Sequence, residues 1–108
     1  MIARKSQDWS MYRGDTLSFN VEIEDLKEDL SSIYFSCKPM MDDYYIFQKS
    51  LANGCQKLET GKYNVHVSPE DTQNVDPGTY RMDLQIEIGA DRYTVMKGTL
   101  KIVDDVTR

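Results

Sequence analysis

A single histidine, two cysteines and five adjacent pairs of acids are the side chains here whose chemistry could work on a substrate or hold an ion. His66 alternates with Val65 and Val67, which turns its imidazole to the wet side of a strand. A general base needs a nucleophile and an orienting group beside it, and no serine, cysteine or threonine motif supplies them. His66 therefore reads as a surface imidazole. The acids form the pairs Glu24-Asp25, Glu28-Asp29, Asp42-Asp43, Glu70-Asp71 and Asp104-Asp105. Calcium needs six to eight oxygens, which loops at one end of a β-sandwich can supply, but none of these pairs has the spacing of a known calcium loop. Nothing selects two of them as a glycosidase pair either. They read as solvated loops and helix-start acids. Arg13-Gly14-Asp15 matches an adhesion tripeptide, yet its Gly-Asp step reads more simply as a turn into the next strand. Cys37 and Cys55 lie in no CxxC motif and read as reduced thiols, Cys37 facing inward and Cys55 reachable after the Asn53-Gly54 turn. A single Cys37–Cys55 bridge is the alternative. The expectation is no enzyme, no catalytic residue, no cofactor and no metal.

Contact chemistry is better represented. Seven tyrosines dominate the aromatic residues. Tyr12, Tyr34, Tyr44 and Tyr45, with Trp9, Met40 and Met41, could build a contact surface, because Tyr, Trp and Met are enriched at interface cores. The same rings could stack on sugars. Lys38-Pro39-Met40-Met41-Asp42-Asp43-Tyr44-Tyr45 stands out as irregular, apolar and aromatic in a chain whose other connections are short. Met40, Met41, Tyr44, Tyr45 and Phe47 are the predicted protein-interface residues.

These side chains must be carried by one domain, residues 1–108, with room for a single core. The scaling of surface with mass puts burial on folding at roughly 65% of the unfolded surface. Hydrophobic residues make up 40% and charged residues 29% of the chain, as in a globular domain. Thirteen Lys and Arg against eighteen Asp and Glu leave a net charge of −5, which argues against nucleic-acid and anionic-membrane partners. No apolar run is long enough to cross a bilayer, and Met1-Ile2-Ala3-Arg4-Lys5 has no apolar segment behind it of the kind a secretory signal needs.

The hydrophobic period is two. Leu17, Phe19, Val21 and Ile23 alternate with polar residues across Thr16–Glu24; Ile33, Phe35 and Cys37 do so next, then Tyr63, Val65 and Val67. Tyr80, Met82, Leu84, Ile86 and Ile88 form the longest dry face. The last strand starts in phase at Tyr93 and Val95 but ends on Leu100 and Ile102, so a one-residue slip is expected, placed at Met96-Lys97-Gly98 because a bulge favours glycine. Asp8–Tyr12, Tyr45–Lys49 and Cys55–Leu58 read as weaker strands, Tyr45–Lys49 as an edge. Gly89-Ala90-Asp91 reads as a hairpin. Leu26 and Leu30 in Glu24–Ser31 fit either one helical turn or a loop. Ser68-Pro69-Glu70-Asp71 predicts a single helical turn, with Ser as N-cap and Pro at its first position.

Seven or so short strands imply an all-β antiparallel sandwich with one short helical turn before the penultimate long strand. Asp76-Pro77-Gly78-Thr79-Tyr80-Arg81-Met82 resembles the tyrosine corner of immunoglobulin-like domains. Met82 stands where antibody domains place their second cysteine, so apolar packing replaces the intersheet disulfide. The predicted core is Leu17, Phe19, Val21, Phe35, Val65, Tyr80, Met82, Leu84, Ile86, Val95, Leu100 and Ile102.

The order of segments carries a further resemblance. Tyr12-Arg13-Gly14-Asp15-Thr16, Ile33–Lys38, Ser68–Thr72, Gly78–Ile86 and Gly98–Thr107 together resemble the immunoglobulin-like N-terminal domain of bacteriophage baseplate upper proteins and related tail-region proteins. The resemblance implies a non-catalytic structural or assembly protein of a phage or prophage particle. Its place would be the virion, or the bacterial host cytoplasm before assembly. Its partners would be other phage structural proteins or a second copy of itself, and the resemblance brings no active site. The alternative is a carbohydrate- or cell-surface-binding β-sandwich module.

Overall fold

A computed structural model describes residues 5–24 and 26–105. Met1–Arg4, Asp25 of the first acidic pair, and Val106-Thr107 at the end of the resemblance lie outside the described residues. The period-two segments form eight strands: β1 Lys5–Tyr12, β2 Leu17–Glu22, β3 Ser32–Pro39, β4 Phe47–Ser50, β5 Cys55–Glu59, β6 Lys62–Val67, β7 Gly78–Ile88 and β8 Asp91–Val103. The Ser68 cap and Pro69 start a short helix, α1 Pro69–Thr72, between β6 and β7. Leu26–Ser31 is loop, with Leu30 buried and its backbone N–H donating to the Tyr63 hydroxyl at 3.0 Å.

One sheet runs β1-β8-β7-β3-β4 and the other β2-β6-β5. This is the strand order of an immunoglobulin-like sandwich, with β1 parallel to β8 and the remaining pairs antiparallel. β4 is an edge, as its short, mixed sequence suggested. The corner also forms: the Tyr80 hydroxyl donates to the Asp76 carbonyl.

The dry faces meet between the sheets. Phe35, Val65, Met82, Leu84, Ile86, Val95, Leu100 and Ile102 are buried as expected. Leu17, Phe19, Val21 and Tyr80 are partly buried against them. In place of an intersheet disulfide runs a chain of rings: Trp9 to Phe19 at 4.8 Å, Phe19 to Phe35 at 5.1 Å and Phe35 to Phe47 at 5.9 Å between centroids. The first two pairs are edge-on, an arrangement that adds about 0.5–1.5 kcal/mol each to the burial term.

Two details correct the sequence reading. The register slip in β8 falls at Val95, not at Gly98: Leu84 pairs with Met96 and Gln85 with Thr94. Val95 and Met96 consequently both face the core, which moves the apolar phase from odd to even positions. Gly98 has a different task. It pairs with Gln7 of β1, and a Cβ there would lie 1.6 Å from the Gln7 carbonyl oxygen. The second correction concerns Cys55, which is buried rather than reachable. Both cysteines are free thiols, and burial pushes Cys37 up to about 12 and Cys55 to about 11, the latter against the pull of the Lys49 charge.

Candidate functional site

The β3–β4 connection is held in place by cations on the neighbouring strands. Arg81 of β7 donates through Nε to the Pro39 carbonyl at 3.0 Å and through Nη2 to the Asp42 carbonyl at 2.7 Å. Lys38 pairs with Asp43 at 2.6 Å, and Arg81 reaches the same carboxylate at 3.3 Å. Those contacts, the Lys38 hydrogen bond first, hold the Asp43 carboxyl below the usual carboxylate range. Lys38 also lies 4.8 Å from the centre of the Tyr45 ring. On this pinned loop Met40, Tyr44 and Tyr45 are exposed, and Met41 is 93% exposed. Four of the five predicted interface residues thus form one surface segment. Phe47 is the exception: at 7% exposure it belongs to the core beneath, because in β4 it alternates inward with Lys49. Trp9 also packs inward, on Phe19.

Beside the loop lies a groove of about 330 Å³ on the outer face of the five-stranded sheet. Its floor follows from strand register. Gln48, Ser36, Asp83 and Lys97 stand opposite one another across β4, β3, β7 and β8. The next rung along carries Ser50, Tyr34, Gln85 and Thr94. Of these rungs Tyr34, Ser36, Gln48, Asp83 and Gln85 line the groove, together with Lys38, Tyr45 and Arg92. Gln48 Nε2 donates to Ser36 Oγ at 3.1 Å. Asp83 has no hydrogen bond or ion pair among the described residues, and burial lifts its carboxyl above the usual range against the opposing charges of Lys38, Lys97 and Arg81. The sequence assigned Tyr34, Ser36, Asp83 and Gln85 to wet faces. It could not bring them together, because β3 and β7 are neighbours only in the folded topology.

The remaining candidates have structural surroundings. His66 is exposed on β6 opposite Ser18. Arg13-Gly14-Asp15 forms a turn, with the Asp15 N–H on the Tyr12 carbonyl and Arg13 paired with Asp104 at 2.7 Å. Asp29 pairs with Lys57 at 2.7 Å. Asp71 Oδ2 accepts the Ser68 backbone N–H at 2.7 Å and the Lys49 ammonium at 2.8 Å, which explains a lysine only 3% exposed inside the sandwich. Lys49 carried no signal in the sequence, since its partner lies on another element. Among the described residues no three His, Cys, Asp or Glu side chains form a metal-holding group, and no helix is long and apolar enough to cross a membrane.

No known family's sequence profile matches the chain, and no curated protein does. Several solved structures are similar in shape. Part of the endo-β-1,4-mannanase from Thermotoga petrophila superposes with a TM-score of 0.59 at 13% identity, over 90% of this chain but only 18% of the enzyme. The extracellular domain of the voltage-gated sodium channel β4 subunit has a TM-score of 0.49 at 11% identity, covering 94% of this chain and 93% of that one. A family 123 glycoside hydrolase from Clostridium perfringens has a TM-score of 0.47 at 12% identity, covering 95% of this chain and 24% of that one. At these identities the likeness to the mannanase segment speaks for the sandwich fold and leaves activity open.

Proposed function

We propose that this protein is a non-catalytic structural or assembly protein that acts through protein–protein contacts, of the kind found in the tail or baseplate region of phage particles. The observation that carries the contact reading is the β3–β4 loop: Met40, Met41, Tyr44 and Tyr45 are exposed on a segment that Arg81 and Lys38 hold in one shape. A large apolar side chain as open to water as Met41 gains nothing in the isolated protein and is covered favourably by a partner. Preorganisation of the loop reduces the ordering cost of association. The phage assignment rests on the order of sequence segments. Partners are other particle proteins or a second copy, and the location is the virion, or the host cytoplasm before assembly.

Replacing Tyr44 and Tyr45 together by Ser tests the reading. Anchors of this type commonly cost about 2 kcal/mol or more each on truncation. Light scattering is expected to show any oligomer moving toward monomer, and co-purification with co-expressed neighbouring gene products is expected to fall. Unchanged association in both assays removes the loop from the account.

A further inference from the structure

The groove on the five-stranded sheet has a composition that differs from the loop beside it. No aliphatic side chain lines it: its residues are Tyr, Ser, Gln, Asp, Lys or Arg. An aliphatic peptide side chain would find only the two tyrosine rings to pack on, amid polar and charged groups, whereas a polyhydroxylated ligand would find a hydrogen-bonding partner at each step of the floor. Adjacent rungs are two residues apart, about 7 Å, and adjacent strands are about 4.8 Å apart. These are the dimensions over which the hydroxyls of a pyranose ring are distributed.

The charges narrow the ligand further. Asp83 occupies the middle of the floor without a hydrogen bond or ion pair among the described residues. An anionic ligand would be set against this carboxylate. A cationic one would meet Lys38 and Arg92, which also line the groove. A neutral ligand avoids both costs, and vicinal hydroxyls can donate to the two oxygens of one carboxylate in charge-assisted bonds. The Gln85 amide and the free lone pairs of the Gln48 amide, whose N–H2 already serves Ser36, add further donors and acceptors. Tyr34 and Tyr45 supply aromatic surface for the apolar face of a sugar.

We infer that this groove is a binding site for a neutral saccharide with vicinal hydroxyls, held by Asp83, Gln85 and Gln48 and by stacking on Tyr34 or Tyr45. The two sites share only Tyr45: Asp83, Gln85 and Gln48 lie on the sheet, outside the Met40–Tyr45 loop. Asp83→Asn therefore tests the groove without altering the exposed loop residues, so failure of either reading leaves the other standing. The half-buried, unpaired state of Asp83 is a cost to the folded chain, as expected of a group retained for a ligand.

The test is an NMR titration of the full, isotopically labelled chain with neutral gluco-, manno- and galacto-hexasaccharides of α and β linkage at millimolar concentration. The side-chain amide signals of Gln48 and Gln85 report on the groove, and those of Gln56 and Gln73 serve as controls elsewhere. At least one hexasaccharide is expected to shift Gln48 and Gln85 and leave Gln56 and Gln73 in place. Asp83→Asn, which keeps the shape, is expected to weaken that binding about tenfold or more, the loss of one charge-assisted pair of bonds. Its melting temperature at neutral pH is expected to match or exceed that of the native chain, which separates lost binding from lost folding. No shift of Gln48 or Gln85 with any of these sugars overturns the inference. So does binding that survives Asp83→Asn within twofold.

Discussion

Replacing Gly98 by Ala probes how β1 is held in the sandwich. The added Cβ would meet the Gln7 carbonyl oxygen at 1.6 Å and the Gln7 carbonyl carbon at 2.7 Å. Both are main-chain atoms, so no side-chain rotation relieves the clash. Ordinary contact requires a separation greater by about 2 Å, which the ladder between Lys5↔Met96 and Tyr12↔Val103 cannot absorb locally. The cheapest relief is for β1 to part from β8. That exposes Met11, which is buried, and Trp9, which is partly buried on Phe19. Full exposure of a large apolar side chain costs about 1.5–3 kcal/mol. Counting Met11 in full and Trp9 in part gives a loss of about 3 kcal/mol. A domain of this size has about 5–15 kcal/mol to lose, so the variant folds with a lowered urea midpoint. Hydrogen exchange is expected to speed up along β1 while β7 and β3 stay protected. A loss below about 0.5 kcal/mol, with β1 amides still slow, would refute the close-approach role of Gly98.

Three further outcomes follow from buried groups. Lys49→Met is expected to cost about 3 kcal/mol in urea unfolding, because it strands Asp71, itself only 19% exposed. Adding Asp71→Asn should then cost little more, whereas fully additive losses would mean the pair is not coupled. Neither Cys37 nor Cys55 should react with a thiol reagent in the native chain at neutral pH, since burial holds them protonated near 12 and 11; two reactive thiols should appear only on unfolding, and one fast native site would contradict the burial of Cys55. For Asp83 the sign is opposite to that of a salt-bridged acid. Burial disfavours the carboxylate and raises its folded-state pKa, so the penalty is full at pH above that raised pKa and disappears below the ordinary 3.8. Asp83→Asn should therefore raise the melting temperature at pH 7 and leave it unchanged near pH 3; a drop at pH 7 would show that the carboxylate is paired.

Much of this fold is legible in the order of residues because strand alternation is a local property. Leu84 and Ile86 had to face inward wherever β7 was placed, and the Asp76–Tyr80 corner announced the sandwich type. What resisted reading depends on distant partners. The phase change in β8 was visible, but glycine drew the bulge to Gly98 when the consecutive apolar pair Val95-Met96 marked it. Gly98 itself answers to Gln7, about ninety residues earlier in the chain, and Lys49 to a capping aspartate on another element. Cys55 follows a turn, which suggested access, yet it pairs opposite Val65 and shares its buried face. The exposed loop was legible from composition, apart from Phe47, whose inward phase was masked by the apolar residues before it. The groove was not legible, because its rungs come from four strands whose adjacency appears only once β3 lies between β4 and β7.

Photocrosslinking tests the contact reading most directly. A photoreactive phenylalanine analogue replaces Met41, 93% exposed on the β3–β4 loop, or Leu58, 52% exposed on the opposite sheet, in separate chains expressed among their natural neighbours. The expected result is a discrete crosslinked protein from position 41, identified by mass spectrometry as a particle component or a second copy, and none from position 58. Crosslinks from position 58 with none from position 41 would contradict the account.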